Sequence, residues 1–147
     1  MNEVKKQAIR DLRQNCGVAY LASVSEDGYP QIKAVLVLEH QELKTQYFST
    51  LLHSQKARQY LRNPQAAVYY CDERTYQGVQ FTGRMEVCTD HDTKQLLWRD
   101  GFEIYYPHGV DDEDYCVLKF TAETVNYYHA LDNETIAVKE LSDGYNN

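Results

Sequence analysis

The sequence lacks a long apolar run and an excess of basic residues. None of its apolar stretches approaches the roughly 20 residues of a membrane-spanning helix, and Met1–Asn15 lacks the apolar segment of a signal peptide. The net charge is −7 and the basic residues form no run, so the chain is poorly suited to bind a phosphate backbone. We therefore expect a cytoplasmic protein with no membrane or nucleic-acid partner.

The sequence also lacks the short motifs of several site classes. Its cysteines, Cys16, Cys71, Cys88 and Cys116, form no Cys-x-x-Cys pair. The last three lie in apolar, strand-like runs and are predicted to be buried, reduced thiols. No histidine has metal-ligand spacing to another His or Cys, so no metal is predicted. Asp111–Asp114 lacks the spacing of a calcium loop and is predicted to be a solvated turn.

The length and composition indicate one compact domain. The 147 residues suffice for a single domain, which we predict to extend over 1–147. The hydrophobic fraction of 43% is enough to build a core. No internal repeat or low-complexity tract interrupts the chain. Beyond about Asp132 the sequence becomes polar, and we expect this tail to fray.

The periodicity of apolar residues predicts mostly strands. Gly17 is predicted to end the first helix in a left-handed conformation. Gly83, inside a predicted strand, indicates a bulge or a close approach of two backbones. The absence of strand–helix–strand alternation, and of a Gly-rich loop after the first strand, excludes a Rossmann layout. We predict a mainly β fold, an antiparallel Greek-key barrel of about six strands with flanking helices. The predicted helices are 2–15, 54–63 and a short one starting at Asp90, and the predicted strands are 18–24, 31–38, 43–49, 66–71, 79–88 and 115–128.

The predicted second strand carries one lysine among apolar residues. Lys33 shares a face with Val35 and Val37, and the other face holds Ile32, Ala34, Leu36 and Leu38. A charged side chain in so apolar a strand needs a partner or an exposed end. The alternative is an edge-strand lysine whose ammonium reaches water.

A candidate anion site follows the third predicted strand. Ser54 is a good N-cap for the next helix, and Lys56 lies in its first turn. A helix start offers unpaired N–H groups and a positive dipole end, which suit a phosphate. A lysine is otherwise unfavourable at this position, so an anion in front of it would explain its presence. The alternative is that Ser54 merely caps the helix and Lys56 is solvated.

Taken together, these segments resemble the pyridoxamine-phosphate-oxidase-like split barrels, in particular the general stress protein branch. No single segment is specific, but their order and spacing extend over most of the chain. The segments are the amino-terminal helix, Leu21–Val24 with Asp27–Pro30, Ser54–Ala57, Asn63-Pro64, Gly83, Trp98, Tyr105–Gly109 and Asp112–Tyr115.

The resemblance implies a flavin mononucleotide (FMN) bound at the interface of a homodimer, with both chains contributing. It implies that Lys33 grips the phosphate, where the family often has an arginine. The backbone of Ala34 and Val35 would meet the flavin ring. Other implied contacts are Ser49 and Thr50 to phosphate and ribityl hydroxyls, and Ser54, Gln55 and Lys56 to the phosphate.

Two further residues are implied as cofactor contacts. Gln80 lies near a strand position from which a glutamine approaches the ring. Trp98, in an aromatic segment with Phe102, Tyr105 and Tyr106, is a candidate for stacking on the ring. The alternative for Trp98 is the core or the dimer interface, because aromatic side chains commonly fill both.

Departures from the family pattern concern the substrate more than the cofactor. Lys33 keeps the charge of an arginine without its fork, and Gln55 replaces a second arginine. Leu38 replaces a lysine associated with substrate phosphate, and no Arg-x-His segment follows Tyr128. We expect an FMN-dependent oxidoreductase of unknown substrate, not a true pyridoxamine phosphate oxidase, and the sequence names no catalytic residue. The alternatives are a non-catalytic flavin-binding or sensing stress protein, and a cofactor-free interaction module.

Overall fold

The computed structural model describes residues 1–141, which consist mainly of β-strands. The strands are β1 (Val18–Val24), β2 (Pro30–Leu36), β3 (Thr45–Leu51), β4 (Gln65–Asp72), β5 (Gln77–Cys88), β6 (Tyr115–His129) and β7 (Asp132–Ala137). The helices are α1 (Glu3–Asn15), α2 (Gln55–Arg62) and α3 (His91–Leu97), with short 3₁₀ turns at Phe102–Ile104 and Val138–Leu141. The mainly β prediction is confirmed.

All strand pairs are antiparallel, in the order β2-β1-β4-β5-β6-β3, and β7 pairs with β6. One edge of β6 therefore pairs with two strands in succession. Its first half, Tyr115–Thr121, pairs with β3, and its second half, Thr124–His129, pairs with β7. The hydrogen-bonded path starts at β2 and ends at β3, so strand pairing leaves the sheet open where the sequence predicted a barrel.

The seventh strand lies in the segment that was predicted to fray. That prediction is wrong for residues 132–141, because Asp132–Ala137 pairs with β6 along its length. The Lys5 ammonium on α1 also forms ion pairs with Asp132 and Glu134, and Val138 and Leu141 are buried. The rest of the predicted tail, 142–147, lies outside the described residues.

Side-chain caps explain where the three helices begin. Asn2, Ser54 and Asp90 each accept a hydrogen bond from the backbone N–H three residues later. The predicted helices are thus confirmed to within one or two residues. The left-handed conformation predicted for Gly17 is wrong, because the chain leaves α1 through an extended Cys16 (φ −79°, ψ 123°).

The main core lies on one face of the sheet, and Gly83 allows two strands of the sheet to approach closely. The β5–β6 register shifts between Thr82 and Gly83, and a Cβ on Gly83 would lie 2.0 Å from the Thr121 carbonyl oxygen. The predicted bulge is confirmed. The main core is formed by residues such as Leu21, Phe48, Val68, Phe81, Met85, Leu118 and Phe120.

A second apolar cluster covers the other face of β3 and β6, and we call it the aromatic cluster. Its buried members are Cys88, Leu97, Tyr106, Tyr115 and Val117, with Leu38, Tyr47, Trp98, Phe102 and Val110 packed against them.

The structure tests the prediction that three cysteines are buried, reduced thiols. All four cysteines are free, and Cys88 and Cys116 are buried. The prediction is wrong for the burial of Cys71, which is partly exposed near the end of β4. Cys71 lies on the outer face of the sheet, where alternate side chains of a strand point away from the core.

Candidate functional site

The candidate site lies between β2 and β3, the two strands that end the hydrogen-bonded path. Three residues separate the end of β3 from the start of helix α2, which packs back on β1. The Tyr60 hydroxyl donates to the Ala22 carbonyl at 2.9 Å, and the Ser23 hydroxyl bonds the Gln59 amide oxygen. Because β1 pairs with β2, this contact places the start of α2 beside the first half of β2.

Two lysines from these elements lie close together. Lys33 shares the core-facing side of β2, since it lies opposite buried Leu21. Lys56 is half-buried in the first turn of α2, and burial lowers the pKa of its ammonium. The positive charge of Lys33 lowers it further. Within residues 1–141 neither lysine forms an ion pair, so an anion placed between them would be stabilised by both.

Uncharged donors surround the two lysines. The first N–H groups of α2 have no partner inside the helix and carry its positive dipole end. The Ser54 hydroxyl accepts from the Ala57 N–H at 3.3 Å, which satisfies only one of them. Thr50 is buried opposite Cys116, and Cys116 is close enough to Lys56 for their charges to interact. Lys33, Thr50, Ser54 and Lys56 thus form a cationic, donor-rich site, and Gln55 is exposed beside it.

The neighbouring Ser49 belongs to a different environment. Consecutive residues of a strand point to opposite faces, and Ser49 lies opposite Val117 of the aromatic cluster. Tyr106 belongs to the same cluster. The predicted pair Ser49 and Thr50 is therefore split between the two faces of β3. On β2, Val35 faces the core and Ala34 faces outward in the same way.

Gln80 and Trp98 lie apart from the lysines within one chain. Gln80 is exposed on the outer face of β5, in one cross-strand row with Tyr69, Tyr20 and Ala34. Three strand spacings separate Gln80 from Ala34, which is about 14 Å. Trp98 packs edge-on against Phe102 and Tyr115 in the aromatic cluster, with ring centroids 5.5 and 5.4 Å apart.

The sequence interpretation missed the role of Asp112. Its carboxylate is buried and accepts hydrogen bonds from the backbone N–H groups of His108 (3.0 Å) and Asp114 (2.9 Å). These two bonds hold the pKa of Asp112 below its usual range. The prediction of a solvated turn is therefore wrong for this residue. The available signal was the spacing of an Asx-turn, in which an aspartate bonds the N–H two residues later.

Two kinds of feature are absent from the described residues. Within residues 1–141, no group of three His, Cys, Asp or Glu side chains is arranged to hold a metal ion. Among the helices of the same residues, none combines the length and apolarity needed to cross a membrane.

Comparison with known proteins gives a consistent result. Residues 6–129 match the sequence profile described as pyridoxamine 5'-phosphate oxidase. A general stress protein 26-related protein of Clostridium acetobutylicum is 35% identical, with a TM-score of 0.85 over 96% of this chain and 99% of that one. No curated protein sequence matches the chain.

More distant structures with the same fold are named for different ligands. A haem-binding protein of Mycobacterium smegmatis is 13% identical, with a TM-score of 0.75 over 97% of this chain and 62% of that one. A pyridoxamine 5'-phosphate oxidase-related, FMN-binding protein of Nostoc punctiforme is 16% identical, with a TM-score of 0.65 over 94% and 98%.

Proposed function

The chain belongs to the pyridoxamine 5'-phosphate oxidase family, and on this premise we propose that it binds FMN as a homodimer and serves as an oxidoreductase. The observation that carries the proposal is the proximity of Lys33 on β2 to Lys56 at the start of α2, neither of which forms an ion pair within residues 1–141. A phosphate monoester carries nearly two negative charges at neutral pH. It matches two ammonium groups, a hydroxyl and a helix start better than a neutral ligand does.

The position of the site supports this choice of ligand. In this proposal β2 and β3 form the two sides of the seam of a split barrel, and the flavin lies along it. The phosphate contacts Lys33, Lys56, Thr50 and the α2 N-terminus, and the ring extends along β2. When bound, the ring would supply hydride or electron transfer. The residues of this chain bind it, orient it and limit its exposure to water.

The exposed outer face of β2 supports the homodimer. Ile32 and Leu36 are 67% and 66% exposed, and Val18 beside Leu36 is 41% exposed. An edge strand with an exposed apolar face is an association surface. A second copy on this face would bury these residues and bring a second Gln80 and its neighbours towards the flavin.

The substrate is a separate question from the cofactor. Leu38 packs against the aromatic cluster and supplies no cation where the family's oxidase has a lysine. We therefore propose a small-molecule substrate other than pyridoxamine phosphate. The four free cysteines suit a reducing compartment, and we propose the cytoplasm.

The visible absorption spectrum of the purified protein tests the proposal, followed by titration of the cofactor-free protein with FMN. Bound flavin gives bands near the blue end of the spectrum, and binding quenches or shifts FMN fluorescence. A spectrum with a haem Soret band, or no binding of added FMN, would reject FMN as the cofactor.

A second measurement separates the enzyme from its alternatives. Oxidation of a reduced nicotinamide nucleotide with a general electron acceptor indicates an oxidoreductase. Bound FMN without turnover would indicate a flavin-binding or sensing protein. A colourless protein that binds no flavin would leave only an interaction module.

A further inference from the structure

The spacing of β2 and β3 is not fixed by a backbone ladder. Within residues 1–141 the hydrogen-bonded path begins at β2 and ends at β3, and no strand pairing joins these two strands. In a paired sheet the ladder keeps neighbouring strands about 4.8 Å apart. Between β2 and β3 this constraint is missing, so their spacing depends on side-chain packing and on the loop that joins them, residues 37–44.

A buried arginine of α1 holds this loop. Arg13 is fully buried, and its guanidinium donates three hydrogen bonds to the loop. Nε donates to the Glu42 carbonyl at 3.1 Å, Nη1 donates to the Glu39 carbonyl at 2.6 Å, and Nη2 donates to the Glu39 carboxylate. The other oxygen of that carboxylate accepts from the backbone N–H groups of Gln41 and Glu42. Glu39 thus folds the loop, and Arg13 attaches the folded loop to α1.

The same guanidinium is linked to the start of β3. It lies over the ring of Tyr70, 5.2 Å from the ring centroid. The Tyr70 hydroxyl donates to the Gln46 amide oxygen at 2.6 Å, and the Gln46 amide nitrogen donates to the Leu43 carbonyl at 2.9 Å. Both Tyr70 and Gln46 are fully buried. A guanidinium holds its five donors in a fixed geometry, so this buried network allows few other arrangements of the loop and the start of β3.

We propose that Arg13 is a positioning residue for the cofactor, which holds β2 and β3 at the spacing that the flavin requires. The inference rests on the proposed FMN site between these strands. A buried ion pair adds little net stability compared with apolar residues of similar volume, but its hydrogen bonds are directional. Arg13 therefore matters more for where the loop lies than for whether the chain folds.

An apolar replacement of the pair separates position from stability. Arg13→Met with Glu39→Leu removes both charges and keeps most of the buried volume, so the chain should unfold in urea much as the unaltered protein does. The loop loses its attachment to α1, and FMN should bind about tenfold more weakly, as when one charge-assisted contact is weakened. Lys5→Met with Glu134→Leu is the matched control, because Lys5 joins the same helix to β7. It should leave the FMN affinity nearly unchanged.

Amide NMR spectra of the unliganded protein report the position of the strands directly. Arg13→Met with Glu39→Leu should shift the amide resonances of β2 and β3 and leave those of β7 in place, and the control should do the reverse. Glu39→Gln is a milder variant. Its amide oxygen can still accept from the two loop N–H groups, but its amide nitrogen cannot accept from Arg13. It should change the same resonances and the FMN affinity in the same direction, to a smaller extent.

The outcomes separate this inference from the proposed function. If the unaltered protein binds FMN and both Arg13–Glu39 variants bind it equally well, only this inference is wrong. Amide shifts spread over the whole sheet would also overturn it, because they would indicate general damage to the fold. If the double variant does not fold, Glu39→Gln decides by the same criteria. If the unaltered protein binds no FMN, the proposed function fails, and the amide spectra still test whether Arg13 sets the spacing of β2 and β3.

Discussion

Lys33 and Lys56 lie close enough that the charge of Lys33 lowers the pKa of Lys56, although they belong to β2 and α2. Two like charges held together, one of them half-buried, are unfavourable in the unliganded protein. The fold maintains this arrangement because α2 is fixed on β1 through Gln59 and Tyr60. An anion between the lysines would remove the repulsion.

Replacing Lys56 should therefore affect the phosphate specifically. We expect Lys56→Ala to weaken FMN by about tenfold to a hundredfold, since a charge-assisted contact contributes roughly 1.5–3 kcal/mol. Riboflavin should lose much less. Arg58→Ala, which removes an exposed cation from the same helix, should leave both affinities nearly unchanged. Fluorescence titration measures all of these values, and equal losses for the two flavins would place the phosphate elsewhere.

The lowered pKa of Lys56 predicts a pH dependence. Burial and Lys33 make the ammonium lose its proton at a lower pH than an exposed lysine does, so the charge that binds phosphate disappears as pH rises. The ratio of the FMN dissociation constants of Lys56→Ala and the unaltered protein should be large near pH 7. It should fall towards one as the pH approaches about 10.5. A ratio that stays constant over this range would contradict a charge contact from Lys56.

Charged Lys56 favours binding of the phosphate, but in the unliganded protein the same charge lowers the free energy of unfolding. Because its folded-state pKa is lowered, the charged form is disfavoured on folding, and this penalty disappears as pH rises through that pKa. The free energy of unfolding of the unaltered protein should therefore gain a contribution from Lys56 as the pH rises. Unliganded Lys56→Ala should lack this increase, and urea unfolding at several pH values would show the difference.

The apolar face of β2 predicts a dimer that one charge disrupts. We expect the unaltered protein to sediment as a dimer at micromolar concentration and Leu36→Glu to shift it towards monomer. Leu131→Glu is the control, because Leu131 is fully exposed in the β6–β7 turn. A monomeric unaltered protein, or a dimer that Leu36→Glu leaves intact, would contradict the proposed interface.

The bulge at Gly83 predicts a local sensitivity to added volume. A methyl group there would meet the Thr121 carbonyl, so β5 and β6 would have to separate. We expect Gly83→Ala to reduce the free energy of unfolding by about 1–3 kcal/mol. Gly17→Ala meets no atom within 4 Å and should change it by less than about 0.5 kcal/mol. Urea denaturation compares the two, and equal effects would contradict the close approach.

Asp112 predicts a loss of stability in acid. Its folded-state pKa is lowered by two backbone N–H bonds, so its contribution is present above the ordinary aspartate pKa of about 3.9. The contribution is lost as pH falls through the lowered folded value. The unaltered protein should therefore exceed Asp112→Asn in unfolding free energy at pH 7, and the difference should shrink near pH 3. Glu113→Gln, an exposed neighbour, should show no such difference.

The features that could be predicted from the sequence are those with local causes. Caps such as Ser54 and the helical spacing of α2 are local, and so is the glycine signal at Gly83. Strand β7 was missed because its residues are polar and its pairing depends on β6, which has a free edge there only once the sheet has formed. Arg13 was missed for a similar reason. Its guanidinium is buried against Tyr70 and bonded to Glu39, a contact between α1 and the β2–β3 loop.

The same distinction applies to the candidate site. Lys33 and Lys56 could be proposed as partners only through the family resemblance, since 22 residues separate them and nothing local joins them. The split between Ser49 and Thr50 follows from strand alternation. The sequence alone, however, does not show that the aromatic cluster covers one of the two faces. Asp112 looked like one acidic residue among several, and only its burial distinguishes it.

The pairing of β3 with β6 also determines the order in which the strands can pair during synthesis. Strands β1 and β2 form a hairpin from neighbouring residues, but β3 pairs with residues 64 to 76 positions further along the chain. During synthesis at about 5–20 residues per second, β3 would wait roughly 3–15 s for its partner strand to be made. One side of the seam is therefore completed only after β4, β5 and the first half of β6 exist. A nascent chain arrested before Tyr115 would present Lys33 and Lys56 without the wall that holds Ser49 and Thr50 in place.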